Sequence, residues 1–260
     1  MKRVFEIILA IAAILICCCS RSEEDIEKVK PDIDRFALQF KDINEIAIVT
    51  RLTDLGKDMT PRFNSAGDRI YFVRLLPSSD STEGSFIDGQ LAIEYKTGQL
   101  YLIDNLPPIS EPPIIQPDSL PSIRGEKTLY GYRFENILYF VTERESTRRT
   151  RVIYGMKDDS LVQLTYGSQT AYLKGISADG KYLAFTYGNE FLSAVILDNE
   201  TGLYYAVPKN SADSISNDFA ARFSPDGKYL VFLRSGELYA KKIAPCGDLW
   251  LIRFKPVDDE

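Results

Sequence analysis

Acidic residues at matching positions of two short motifs are the first groups whose type and spacing suggest chemistry. Asp179 in SADG and Asp226 in SPDG each stand directly before a glycine. Such carboxylates suit catalysis, as in glycoside hydrolysis, or calcium binding. Aspartate is also favoured in tight turns, because its side chain hydrogen-bonds the nearby backbone. The repetition of the whole motif favours the turn role, since every copy of a repeat needs the same turn.

The chain of 260 residues contains no histidine. This excludes a Ser-His-Asp triad, a Cys-His pair and a His-ligated zinc site. The sequence also lacks a G-x-S-x-G nucleophile motif, a phosphate-binding P-loop and a dinucleotide fingerprint. We therefore expect no enzymatic activity, no cofactor and no metal. The net charge of −6 argues against nucleic acid as a partner.

The cysteines are clustered rather than spread along the chain. Cys17, Cys18 and Cys19 are adjacent and Cys246 stands alone, so no disulfide framework is indicated. We interpret Cys246 as a small apolar residue. Before the cluster, a basic start is followed by the apolar run 7–16. This run is shorter than the roughly 20 residues of a membrane-spanning helix and has the proportions of a signal peptide.

The segment ILICCCS resembles the lipobox of bacterial lipoproteins, in which an apolar stretch precedes a lipid-modified cysteine. The resemblance implies that Cys18 or Cys19 is acylated. The segment departs from the pattern, because the residue before the modified cysteine is itself a cysteine, where glycine, alanine or serine is usual. An ordinary signal peptide and an uncleaved anchor are the alternatives. We predict a lipoprotein signal peptide at 1–18, a charged tether at 19–44, and membrane attachment through lipid.

An internal repeat organises the rest of the chain. Residues 62–74 (RFNSAGDRIYFVR), 175–187 (GISADGKYLAFTY) and 222–234 (RFSPDGKYLVFLR) align without gaps. Each predicts a turn followed by a strand, because Pro225 suits the second position of a type I turn and glycine suits a left-handed position. The structural residues of these turns are Gly67, Asp179, Gly180, Pro225, Asp226 and Gly227.

The strands that follow these turns are apolar on both faces, which indicates sheets covered on both sides. Blades packed between neighbouring blades of a propeller meet this condition. A weaker fourth copy at 132–142 completes a phenylalanine column with spacings of 68, 45 and 47 residues. The last two match the propeller repeat of about 40–50 residues. The first is about 22 residues too long, and the proline-rich segment 107–127 accounts for the excess as an inserted loop.

The motifs FSPDGKYLVF and SADGKYLAF, with the pairs Leu52-Thr53 and Leu164-Thr165, resemble the repeat of the TolB propeller family. The resemblance covers roughly residues 45–254. It implies an all-β propeller, typically of six blades, that acts as a protein-docking platform in the bacterial envelope. The chain departs from the family because it has room for about four clear blades and lacks a separate N-terminal domain. An open ring and rings of five or six blades are the alternatives.

The strand map follows from the repeat. The predicted strands are 60–64, 69–75, 90–95 and 99–104 in blade one; 128–133, 137–142, 150–155 and 160–165 in blade two; 171–177, 181–187, 192–197 and 202–207 in blade three; and 219–223, 229–234, 237–242 and 248–254 in blade four. An extra strand at 45–53 is expected to pair with the last blade and close the ring, because an unpaired edge invites aggregation. Residues 255–260 form a tail.

Two surface features are candidates for binding a partner. Arg144, Arg148, Arg149 and Arg151 form a basic cluster that either docks an anionic partner or is a solvated loop, since Glu143 and Glu145 dilute its charge. The proline-rich insertion, with Pro112 and Pro113, is the better candidate, because extended proline-rich segments lose little entropy on binding. Trp250 is interpreted as a core residue.

These observations predict a lipid-anchored binding or scaffold protein of the cell envelope, without catalytic activity. Its partner would be an envelope protein or a glycan, and its place the outer membrane, facing the periplasm or the cell surface. The alternative is a carbohydrate-active enzyme that uses acidic residues on a propeller scaffold. A third possibility is a structural remnant of a larger propeller that needs a second copy to close.

Overall fold

The computed structural model describes residues 38–77, 86–106, 114–144, 150–209, 216–235 and 246–256. Within these residues the chain is almost entirely β, and its strands form four antiparallel sheets, one of which gains a short parallel edge strand. No helix among them has the length and apolar character needed to cross a membrane. The acylation candidates Cys18 and Cys19 lie outside the described residues.

Each sheet is one blade, and the chain passes through its strands in order. Blade one consists of β3 (Asp58–Phe63), β4 (Ile70–Pro77), β5 (Phe86–Glu94) and β6 (Gln99–Leu102). Blade two consists of β7 (Glu126–Phe134), β8 (Ile137–Arg144), β9 (Thr150–Lys157) and β10 (Ser160–Gln163). Blade three consists of β11 (Thr170–Ile176), β12 (Tyr182–Gly188), β13 (Ser193–Asp198) and β14 (Tyr204–Ala206).

Blade four is built from both ends of the folded region. It consists of β15 (Asn217–Phe223), β16 (Tyr229–Ser235), β17 (Asp248–Phe254) and, as its outer strand, β2 (Ala47–Arg51). The strand predicted at 45–53 thus pairs with the last blade, as expected. The prediction for the third strand of this blade was wrong, because β17 pairs directly with β16. The segment 237–242, predicted to take that place, lies outside the described residues.

A further strand lies within the segment predicted as a tether. β1 (Phe40–Asp42) pairs in parallel with β14 at the outer edge of blade three, and a 3₁₀ turn (Ile43–Glu45) follows it. The Phe40 ring meets Tyr187 edge-on, with ring centroids 5.8 Å apart, and Ile43 is fully buried. Phe40 itself is exposed, so the burial of Ile43, with the ring contact of Phe40, explains why the end of the charged segment joins the fold.

Apolar cores between neighbouring blades hold the sheets together. One core joins blades two and three, a second joins blades three and four, and a third joins blades four and one. The phenylalanine column supplies a fully buried ring to each blade: Phe72, Phe140, Phe185 and Phe232. Phe185, Phe232 and Phe72 face the blade before them in the ring. The all-β, propeller-like fold of four blades is therefore confirmed.

The fourth ring of the column marks a gap between blades one and two. Phe140 packs against Ile115, Leu120 and Ile123, which belong to the proline-rich insertion and not to blade one. Ile115 also forms an isolated β-bridge with Gly131 of β7. Among the described residues no core joins blades one and two. The second half of the predicted surface loop covers an apolar face that a closed propeller would bury against a blade.

The repeated turns form as their residue types predict. In each aligned copy the glycine N–H donates to the carbonyl of the residue three positions earlier, at 2.9–3.0 Å. Asp179 and Asp226 each accept the hydroxyl of the serine two residues before them and an N–H two residues after them. In blade one, Asn64 replaces the serine, and its amide oxygen accepts the N–H of Arg69.

Gly180 provides the sharpest test of these turns. Its φ of 72° is left-handed, and a Cβ at this position would lie 2.1 Å from the ring of Phe134 in the turn of blade two. We expect Gly180→Ala to lower the free energy of unfolding by about 2 kcal/mol, through left-handed strain and overpacking. Gly98 is the control, because its φ is 75° and no atom lies within 4 Å of such a Cβ. Gly98→Ala should cost about 1 kcal/mol, from strain alone.

Denaturant unfolding of the two variants checks this prediction. Equal losses of unfolding free energy in Gly180→Ala and Gly98→Ala would mean that the turn of blade two moves away from residue 180 at no cost.

Candidate binding site at the centre of the propeller

The two ends of the blades differ in their connections. At one end, called the turn end, the tight turns of neighbouring blades are in contact. A Cβ on Gly67 of blade one would lie 3.4 Å from Pro225 of blade four, and a Cβ on Gly227 of blade four would lie 3.0 Å from Ala178 of blade three. At the other end, called the loop end, longer stretches of sequence separate one strand from the next: 78–85, 103–125, 145–149 and 207–216, and the stretch before β17. Binding residues concentrate on longer connections, so the loop end is the candidate face.

The Leu-Thr pairs join consecutive blades at the loop end. The Leu52 N–H donates to the carbonyl of Leu249 at 2.7 Å, and the Thr53 hydroxyl accepts the Leu249 N–H at 2.8 Å. Leu164-Thr165 makes the same two hydrogen bonds to Ile153, at 2.8 and 2.9 Å. Each Leu-Thr pair therefore hydrogen-bonds to the third strand of one blade at the point where the chain continues into the next blade.

Ion pairs join the first two strands of a blade at the loop end, and they are buried in blades one and four and half-buried in blade two. They occur in three blades: Asp58–Arg74 at 2.6 Å, Glu126–Arg144 at 2.7 Å and Asp218–Arg234 at 2.7 Å. The hydrogen bond with Asp58 raises the pKa of Arg74 above its usual value, against the effect of burial. The carboxylates with the least exposure are thus occupied by guanidinium groups and hold strands together.

Sequence reasoning missed these pairs, although a signal was present. In blades one and four the aspartate stands nine residues before the repeat glycine and the arginine seven residues after it. Blade three has Ala171 and Tyr187 at those positions. Opposite charges at fixed distances on either side of a hairpin turn predict a cross-strand pair.

The predicted partner-binding residues are only partly described. Pro112, Pro113, Arg148 and Arg149 lie outside the described residues. Arg144 belongs to the half-buried pair with Glu126 and also donates to Gln163 at 3.2 Å. Trp250 is half-buried and packs beside Phe232, with ring centroids 6.3 Å apart. Cys246 is half-buried and forms no disulfide.

A basic and aromatic cluster lies around β11, the first strand of blade three, which contacts β7 and β9 of blade two and β15 of blade four. Arg151 and Lys174 share the ring of Tyr172, at 4.7 Å and 5.5 Å from its centroid. Tyr130 of β7 donates its hydroxyl to the carbonyl of Leu173 at 3.0 Å and so ties the first strands of blades two and three. We call Tyr130, Arg151, Tyr172, Lys174 and Arg222 the central cluster.

Irregular strands place this cluster. The first strand of every blade carries a register shift, and those of β3 and β15 lie at the same position of the repeat. Lys174 is the extra residue in β11, between Leu173 and Gly175. A bulge leaves its extra residue outside the ladder and bends the strand. Arg222 follows the corresponding shift in β15.

The charges of the cluster act on one another. Burial, followed by the positive charges of Arg222 and Arg151, lowers the pKa of Lys174 to about 8. Burial raises the pKa of Tyr130 above its usual value. Arg151 is partly compensated by Glu143, whose carboxylate lies 3.2 Å from its Nε. Sequence reasoning assigned Arg151 to a surface cluster and missed Lys174 and Arg222, because their proximity depends on three blades.

The described residues contain no group of three or more acidic or cysteine side chains that could hold a metal ion. The buried aspartates among them are each engaged: Asp58 and Asp218 in ion pairs, and Asp198 with the N–H groups of Glu200 and Thr201.

Comparison with known proteins gives likenesses of fold alone. No protein-family model matches the chain. No curated protein matches it. TolB from Acinetobacter baumannii is 18% identical, with 78% of this chain and 45% of TolB covered and a TM-score of 0.30. A gluconolactonase from Xanthomonas campestris is 13% identical, with 78% and 60% covered and a TM-score of 0.26.

The GH43_1 enzyme from Xanthomonas citri, solved with xylotriose, is 9% identical, with 79% of this chain and 77% of the enzyme covered and a TM-score of 0.22. The chain spans about half the length of TolB. The propeller-like assignment depends on the four sheets themselves.

Proposed function

We propose that the protein is a lipid-anchored component of the cell envelope that docks a protein or glycan partner at the loop end and does not catalyse a reaction. The observation that carries the proposal is the state of the buried carboxylates: Asp58 and Asp218 each bond a guanidinium group. A glycosidase of the two-carboxylate type needs one acid and one base or nucleophile aimed at the substrate. The asymmetry between the two ends of the blades supports docking at the loop end.

The location is part of the same proposal. Cys18 or Cys19 would carry the lipid and hold the propeller at the outer membrane, facing the periplasm or the cell surface. Because β1 begins at Phe40, roughly twenty residues would separate the anchor from the fold, which is a reach of at most about 70 Å when fully extended.

Charge reversal at the two ends tests the docking face. Arg148→Glu/Arg149→Glu changes the loop end, and Lys96→Glu/Lys228→Glu makes the same change of charge at two exposed turn-end positions. We expect a partner crosslinked in membranes to be lost from the first variant and kept by the second. Loss from both, from neither, or only from the turn-end variant contradicts the proposed face.

The same membranes test the anchor and the absence of catalysis. The Cys18→Ala/Cys19→Ala variant should leave the membrane fraction and lose the acyl mass. Turnover of any member of a glycan panel, abolished by substitution of a carboxylate, would overturn the non-catalytic assignment. Deletion of the whole segment 107–127 is unsuitable, since it would uncover Phe140; replacement of 107–113 alone by a Gly-Ser linker preserves that packing.

A further inference from the structure

The outer strands of the blades differ in how their free edges are protected. An exposed apolar strand edge without charge is a template for pairing with another chain. In blade three the outer strand β14 is covered by β1, in blade four the outer strand β2 ends in Arg51, and in blade two β10 exposes one leucine, Leu161. In blade one the outer strand β6 has no charged residue, and Leu100 and Leu102 are 44% and 78% exposed. Within the part of the chain that the structure describes, nothing protects this edge.

The backbone of β6 directs its free hydrogen-bonding groups outward at the two leucines. Ile103 donates its N–H to the carbonyl of Gln90 in β5 at 3.0 Å. The backbone groups of Ile103 and, two residues earlier, of Tyr101 therefore face β5, because this direction alternates along an antiparallel strand. The N–H and C=O groups of Leu100 and Leu102 consequently face away from the sheet and are available to a further strand.

The two exposed leucines continue an existing core. In the ladder between β5 and β6, Leu102 lies opposite Leu91 and Leu100 lies opposite Ile93, so these four side chains share one face of blade one. Leu91 and Ile93 belong to the core that joins blades four and one. Tyr101 lies on the opposite face. An apolar group placed against Leu100 and Leu102 would therefore extend this core outward.

We propose that this edge binds a second copy of the chain, with the two β6 strands antiparallel about a two-fold axis at Tyr101. The sequence around the axis, Leu-Tyr-Leu, is the same in both directions, as a self-complementary contact requires. Leu100 of each copy would lie opposite Leu102 of the other and exchange two backbone hydrogen bonds with it. The four leucines would meet on one face of the joined sheet, and the two Tyr101 rings on the other.

Charges at the two ends of β6 favour the same arrangement. Lys96 precedes the strand, Asp104 follows it, and both are exposed. In the proposed pairing Asp104 of one copy lies opposite Gly98 of the other. Lys96 stands two residues before that glycine, so its long side chain can approach the carboxylate. Opposite charges therefore meet at each end of the contact, which favours pairing, whereas parallel strands would bring like charges together.

Sedimentation equilibrium of the full-length protein in density-matched detergent tests the dimer. We expect a dimer at a protein concentration of roughly 100 μM, because four strand residues on each side form a contact at the small end of specific interfaces. Leu102→Lys should be monomeric there, since a charge on the edge opposes pairing. Leu161→Lys is the matched control on the outer strand of blade two, where the leucine is also exposed, and it should stay dimeric. A monomeric native protein, a dimeric Leu102→Lys variant, or equal loss in both variants overturns the proposal.

A cysteine at the two-fold axis tests the register. Facing residues without mutual hydrogen bonds have Cα atoms about 4.5 Å apart, which suits a disulfide. Tyr101→Cys should therefore form a disulfide-linked dimer under mild oxidation, above the amount formed by the native chain with its own cysteines. Thr97→Cys is the control, because the two copies of this exposed position would lie roughly 25 Å apart along the paired strands. Crosslinking of both variants to the same extent would contradict the pairing.

Charge exchange provides a third measurement. Asp104→Lys leaves like charges at both ends of the contact and should raise the dimer dissociation constant roughly fivefold or more. Lys96→Asp in the same chain restores opposite charges and should recover most of the affinity. If the double variant is no better than Asp104→Lys alone, the two residues do not meet and the proposed register is wrong.

Discussion

Asp218→Ala is expected to lower the free energy of unfolding by about 3–5 kcal/mol, because it leaves a buried guanidinium without its carboxylate. Asp218 is fully buried, and its two oxygens accept from Nε and a terminal nitrogen of Arg234 at 2.7 and 2.9 Å. One oxygen also accepts the N–H of Ala194 in blade three, at 2.9 Å. The substitution therefore removes an ion pair within blade four and a bond between blades.

Three companion variants make this result interpretable in denaturant unfolding. Asp58→Ala breaks the equivalent pair with Arg74 in blade one. Both hydrogen bonds from Arg74 to the Asp58 carboxylate lie within that blade. It should cost less than Asp218→Ala by about 1 kcal/mol, the worth of one hydrogen bond. Glu200→Ala removes an exposed pair with Lys181 and should cost at most about 1 kcal/mol.

The double variant Asp218→Leu/Arg234→Leu should recover part of the loss, since it leaves no unpaired charge. Losses of the same size for Asp218→Ala and Glu200→Ala would show that the buried pairs contribute no more than surface pairs.

Phe232→Ala is expected to lower the free energy of unfolding by about 3–5 kcal/mol, because it opens a cavity between two rigid sheets. The ring is fully buried in the core that joins blades three and four, beside Ala184 and Ile252. Both sides of this core are strands held by ladders, so the surroundings have little freedom to collapse.

Phe140→Ala is the matched comparison for Phe232→Ala. Phe140 is equally buried, but it packs against the insertion residues Ile115, Leu120 and Ile123. An irregular segment relaxes into a cavity more readily than a blade, so this variant should cost less, about 2–3 kcal/mol. Proteolysis should also become faster within residues 114–125. A cost equal to that of Phe232→Ala would mean that the insertion is as firmly held as a blade.

The fold was predictable from sequence because local signals repeat. The SPDG and SADG turns and the phenylalanine column located all four blades, and the apolar strands indicated packing on both faces. The copy in blade two was harder to recognise, because Glu135 adopts a φ of 51° in its shortened turn, where glycine would be expected. The end of the tether was misjudged because charged neighbours conceal Ile43, a single buried residue.

The central cluster was not predictable in the same way. Arg151, Lys174 and Arg222 are separated by 23 and 48 residues and stand in three different repeats. Their convergence depends on blade order and on bulges in β11 and β15, which no local pattern announces. The insertion was misjudged for a related reason: proline content indicated a loop correctly, but Ile115, Leu120 and Ile123 cover the face that blade one leaves free.

Blade four combines β2, from the start of the folded region, with β15, β16 and β17 from its end, and this arrangement affects the order in which the blades fold. Trp250 pairs with Arg51 and Phe254 with Ala47, so the sheet contains contacts between residues about 200 positions apart. Contacts so distant in sequence slow folding, because chain entropy is lost before any interaction forms. Blades two and three can form from neighbouring segments, while β2 waits for β17. Until β17 forms, the edge of β2 has no partner strand, and an unpaired strand edge is a place where aggregation begins.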